Sequence, residues 1–137
     1  VADEVAKGWW LGGRYGQELG KSWAGIIDLT CEFPEGCQGS SSDSYLLLRC
    51  WDGVPPTPEQ LEQAAAFGAK KCKEGPVLVH CAHGRGRSTT VMCACLVKAG
   101  MFKTWEEAFT AVQKKRSCVR LNKRMRAALT EWQAMGK

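Results

Sequence analysis

The stretch Val77-Leu78-Val79-His80-Cys81-Ala82-His83-Gly84-Arg85-Gly86-Arg87-Ser88-Thr89-Thr90 decides how the rest of the chain is read. Its opening, Val77–Cys81, is an apolar run with the length of a buried strand. Two glycines then mark a loop. From Arg87 to Ala99 the sequence is apolar nearly all round and stops at Gly100, the pattern of a central helix. A strand thus delivers a cysteine into a glycine-rich loop whose last arginine opens a helix. Each part has a job if the ligand is a phosphate. Gly84 and Gly86 let backbone N–H groups turn inward as an anion nest. The helix starting near Arg87 points its positive dipole end at the same place. Arg87 can grip two phosphoryl oxygens with its planar fork.

The same field favours the thiolate form of Cys81 at neutral pH. A thiolate held under a bound phosphate is aligned for in-line attack, and the product is a cysteinyl-phosphate that water must then hydrolyse. Ser88 is placed to hydrogen-bond the thiolate as it leaves.

Outward from this segment, Gly and Pro divide the chain into strand-like and helix-like pieces. Gly8–Leu11, Ala24–Leu29 and Tyr45–Cys50 are further runs of strand length. Pro58 suits a first helical turn, and Leu61, Ala64, Ala65, Gly68 and Cys72 share one face before Gly75. Thr104 with Glu107 reads as a capping box for a helix with Trp105, Ala108, Phe109 and Val112 facing inward. Asn122 reads as the cap of a last helix that buries Met125, Ala128, Leu129 and Trp132. The expectation is one α/β domain over residues 1–137, a central mixed sheet flanked by helices.

Composition agrees. A chain of 137 residues with 45% hydrophobic and 24% charged residues can build a core. No apolar run approaches the ~20 residues of a membrane-spanning helix. Eight cysteines raise a disulfide scaffold, but such frameworks serve chains that cannot build a core. Cys93 and Cys95 lie in the apolar helix, where reduced cysteine behaves as a small hydrophobe. Both histidines sit beside Cys81 and there is no C-x-x-C pair, so neither metal nor cofactor is expected. The compartment expected is the reducing cytoplasm, with a mitochondrial or membrane-associated location if residues precede Val1. Of the net charge of +5, seven basic residues fall between Lys114 and Arg126 with no acid among them. The remainder holds 12 basic against 14 acidic residues. A local field of this sign suits anionic partners, an acidic membrane surface included.

His80-Cys81-x5-Arg87-Ser88 resembles the signature of the cysteine-dependent protein tyrosine phosphatase superfamily, and the short chain resembles its dual-specificity branch. A monomer is expected, and the resemblance implies hydrolysis of phosphotyrosine and phosphoserine/threonine in proteins, with His80 orienting the loop. It further implies that the backbone of Ala82, His83, Gly84, Arg85 and Gly86 cradles the phosphate beside Arg87. The family uses an acid from a loop upstream of the cysteine. Asp52, 29 residues before Cys81 in a turn rich in Gly and Pro, fits that place, with Asp43 as the runner-up. Arg116 and Arg120 flank a loop that the family often places near the pocket rim.

Other readings stay open. The basic loop interior, His83 and Arg85, is similar to that of phosphoinositide 3-phosphatases and of the mitochondrial phosphatidylglycerophosphate phosphatase. Alanine rather than lysine follows Cys81, a departure from both. Cys81–Gly84 also resembles the RNA 5′-triphosphatase half of capping enzymes, which do without the acid, so Asp52 counts against a nucleic-acid partner. A phosphate-binding pseudophosphatase would typically lack Cys81, Arg87 or the acid, and all three are present.

Overall fold

Along the chain the elements are β1 (Ala2–Ala6), β2 (Trp9–Gly12), β3 (Gly25–Asp28), β4 (Tyr45–Leu47), α1 (Pro58–Lys71), β5 (Val77–His80), α2 (Arg87–Lys98), α3 (Trp105–Lys115) and α4 (Lys123–Met135). The computed structural model describes residues 2–12, 23–29, 45–48, 55–81 and 86–136. The strands form one sheet in the order β1-β2-β5-β3-β4. β1 pairs antiparallel with β2, and the other pairings are parallel. β5 enters between β2 and β3, with Gly12 and Asp28 both level with His80. Open α/β sheets bind ligands beyond the carboxyl ends of their strands, where the connections part. Cys81 is the first residue past that end of β5.

Alternation along the strands divides the sheet into two faces. Trp9, Leu11, Ile27, Val77 and Val79 join one core with the buried sides of all four helices. α2 is buried from Arg87 to Leu96, as its apolar sequence requires, because α1, α3 and α4 surround it. On the other face Ile26 and Leu78 pack with Trp10, Trp23 and Tyr45. The Trp10 and Trp23 rings meet edge to face, 6.0 Å apart.

Sequence patterns missed β1. Asp3 and Glu4 break any apolar run, yet charged residues suit an edge strand, where they discourage further pairing. Gly8, at φ +82, makes the turn into β2, and its N–H donates to the Glu4 carboxylate at 3.0 Å. Asp3 is held by Arg116 at 2.7 Å, a contact between the two ends of the chain that no local pattern announces. The limits of all four expected strands also move: β2 starts at Trp9, β3 is trimmed at both ends to Gly25–Asp28, and β4 ends at Leu47. β2 runs one residue further, to Gly12, and β5 stops at His80.

The helix caps follow the sequence with one exchange. The Asn122 side chain accepts from the Met125 N–H at 2.8 Å, and Thr104 accepts from Glu107 N–H at 3.3 Å. The Glu107 carboxylate turns to the N–H of Lys103 rather than Thr104, so that box is half formed. The complete capping box is Thr57 with Gln60, just ahead of Pro58. Among the described residues no helix is long and apolar enough to cross a membrane.

Candidate active site

β5 and α2 are joined through the loop that starts at Cys81, and their ends converge. The Cys81 thiol and the Ser88 hydroxyl are hydrogen-bonded across 3.3 Å in a buried setting. Gly86 caps α2 without a side chain, and the first turn, Arg87 to Thr90, carries no acid. No carboxylate in that turn offsets the positive end of the α2 dipole, an arrangement that favours an anion. Arg87, only 1% exposed, sends Nη1 to the Leu29 carbonyl at 3.2 Å, which ties α2 to the strand beside β5. The Cys81 N–H donates to the Gly12 carbonyl at 3.3 Å, so the strand on the other side holds the cysteine backbone.

Gly86 was expected to turn the backbone into a nest. Its φ of −114° is ordinary for any residue, and the reason for glycine is close approach. A Cβ there would lie 3.0 Å from Met125 Cε, so the first turn of α4 presses directly on the start of α2.

His80 and Asp28 are level in the sheet and fully buried, with Nε2 3.8 Å from the Asp28 carboxylate. Burial pushes the His80 imidazole below its ordinary value, and the negative charge of Asp28 opposes that shift. The other Asp28 oxygen accepts the Tyr45 hydroxyl proton.

The structure thus brings together His80, Cys81, Gly86, Arg87 and Ser88. Asp52, Ala82, His83, Gly84 and Arg85 lie outside the described residues, as do Asp43 and Arg14. Trp9 belongs to the core. Arg120 donates to the carbonyls of Ser117 and Val119 in its own loop, and Arg126 lies 5.4 Å over the Phe109 ring. Lys114, Lys115, Lys123 and Arg124 remain exposed. Sequence reasoning passed over Asp28 and Tyr45. One signal was there: Asp28 is the only charged residue in Ala24–Leu29, a run whose pattern buries it.

Residues 54–135, more than half of the chain, match the family of dual specificity phosphatase catalytic domains. The chain belongs to that family. A probable rhodanese domain-containing dual specificity protein phosphatase of Dictyostelium discoideum is 49% identical over 53 residues, 37% of this chain and 11% of the relative. The chain thus spans about a tenth of that protein's length. Among solved structures, human DUSP28 superposes with a TM-score of 0.82 at 21% identity, covering 99% of this chain and 95% of its own. PTPMT1 in complex with PI(5)P gives 0.80 at 22% identity, with 98% and 95% covered. These two likenesses establish the dual-specificity phosphatase fold, one domain with a mixed sheet and helices.

Proposed function

We propose that this dual-specificity phosphatase domain hydrolyses phosphotyrosine and phosphoserine/threonine in proteins through a cysteinyl-phosphate. The observation that carries the reading is the Cys81–Ser88 hydrogen bond at the uncapped start of α2, with Arg87 buried one position before Ser88. The Cys81 sulfur attacks phosphorus, the bond from phosphorus to the leaving oxygen breaks, and Asp52 gives that oxygen its proton. Water then attacks phosphorus and loses a proton to Asp52, while the P–S bond breaks. Ser88 donates to the departing thiolate. Arg87 and the backbone amides from Ala82 to Arg87 hold the phosphoryl oxygens through both steps.

A lipid substrate is the second reading. Lys114, Lys115, Lys123 and Arg124 are exposed on one basic stretch, suited to an acidic membrane surface, and PTPMT1, of like fold, is solved with PI(5)P. Phosphate release is to be measured in parallel on phosphotyrosine and phosphothreonine peptides, phosphoinositides and phosphatidylglycerophosphate, with Cys81→Ser as blank. Peptides are expected to turn over faster. A strong preference for either lipid transfers the assignment to the second reading. Asp52→Asn is expected to slow hydrolysis by roughly 10²–10⁴-fold, the range for a lost general acid. A normal rate would move that role to another residue.

A further inference from the structure

We propose that Asp28, with Tyr45, is a positioning residue of the site: the end of β3 sets the Asp28 carboxylate against His80 and takes Arg87 by the next residue's carbonyl. The inference rests on the phosphatase reading above and adds to it the device that keeps Cys81 and Arg87 in register.

A carboxylate with no exposed surface is costly in a core that a leucine would fill without desolvating a charge. This one has specific neighbours. Tyr45, the first residue of β4, donates its hydroxyl to one oxygen, and His80 of β5 faces the other at 3.8 Å. A hydrogen bond thus joins β4 to β3, and the Asp28–His80 approach, longer than a hydrogen bond, carries the contact to β5 on the residue before Cys81. Backbone contacts repeat the pattern. Leu29 N–H donates to the His80 carbonyl at 2.9 Å, Leu48 N–H donates to the Asp28 carbonyl at 2.8 Å, and the Leu29 carbonyl takes Arg87. Asp28, the last residue of β3, and Leu29 after it thus touch the residues flanking Cys81 at one end and Ser88 at the other. A negative charge near an anion site opposes anion binding. What the position supplies is accordingly an oriented acceptor, which asparagine also offers.

The test compares Asp28→Leu, Asp28→Asn and Tyr45→Phe by kcat and KM for p-nitrophenyl phosphate per folded protein, melting temperature, and calorimetric affinity for inorganic phosphate. Asp28→Leu is expected to lower kcat by roughly 10²-fold, the size of effect that misplacement by about 1 Å produces. Its melting temperature should fall, since the Tyr45 hydroxyl loses its acceptor, which is why kcat is taken per folded protein. Tyr45→Phe should lower kcat by about tenfold, one hydrogen bond's worth. Asp28→Asn should restore kcat to within about threefold of the parent, because the acceptor remains. A structural role alone would shift melting and leave kcat per folded protein unchanged, and that result in Asp28→Leu overturns the proposal. If that variant does not fold, Tyr45→Phe, which loses a single oxygen, decides in the same way. A parent that binds phosphate without turning over any ester sinks the phosphatase reading alone. Phosphate affinity then decides: a fall of about tenfold in Asp28→Leu or Tyr45→Phe supports the clamp, and unchanged affinity overturns it. A parent that does not bind phosphate overturns both.

Discussion

Cys81 and the pair Cys93 and Cys95 are buried alike, at 2%, 0% and 0% exposure, yet they sit in different surroundings. Cys93 and Cys95 sit in the middle of α2, where each backbone N–H is already spent on a carbonyl four residues back. Burial pushes the Cys93 thiol up to about 12. Cys95 goes higher still, raised by burial and by the neighbouring Cys93 and Cys72. Its thiol is further engaged as a donor to the Ala64 carbonyl at 3.6 Å, a partner for the protonated form alone. Cys81 instead lies off the end of β5, beside the Ser88 hydroxyl at the start of the same helix. Position relative to a helix terminus separates a candidate nucleophile from a small hydrophobe, and burial does not.

The contrast breaks most directly by removing each sulfur. Cys81→Ser is expected to abolish turnover and keep phosphate affinity, whereas Cys93→Ala should keep kcat per folded protein and cost about 1–2 kcal/mol of stability. Steady-state kinetics with calorimetry reads both, and turnover surviving in Cys81→Ser would end the assignment.

Stability against pH sharpens the comparison. In the unfolded chain a thiol ionises near its ordinary value of 9, and folded Cys93 holds its proton to about 12. Its stabilisation is full below pH 9 and is lost as pH rises through that interval. His80 does the reverse on the acid side. Its folded value lies below the ordinary 6.5, so the unfolded chain binds the proton first and stability falls as pH drops below about 6.5. Urea titrations across pH should show the alkaline slope flattened in Cys93→Ala and the acid slope flattened in His80→Gln. Each change is bounded by about 1.4 kcal/mol per pH unit, the slope of one proton. Parallel curves for parent and variant would remove burial as the cause.

Gly86→Ala should give the smallest effect. The added Cβ meets the flexible end of Met125, so kcat is expected to fall by about threefold or less, and a second change, Met125→Ala, should return it. A loss that Met125→Ala leaves uncorrected would mean the backbone at Gly86, and not its packing, needs glycine.

Much of this was written locally. The apolar runs at Trp9, Ile26 and Val77 and the caps at Thr104 and Asn122 are short-range patterns, and each formed there, the strands with ends shifted by a residue and the Thr104 box half closed. The run His80-Cys81 through Arg87-Ser88 carries its chemistry in its spacing, because a strand end, a loop and a helix start are consecutive. β1 was not legible, since an edge strand needs no apolar alternation when its partner supplies the burial. The Thr57–Gln60 box was legible and overlooked beside Pro58.

By itself the sequence determined an α/β domain, its helix limits, and a cysteine, an arginine and a serine gathered around one helix terminus, because those features depend on residues a few places apart. Only the tertiary structure decided that β5 enters between β2 and β3. The same holds for Tyr45 reaching Asp28, for Asp28 facing His80, and for Met125 of α4 closing on Gly86. Those contacts join residues brought together by the order of strands and the docking of helices, and strand order is set by how the whole chain buries its apolar faces, which no local window contains.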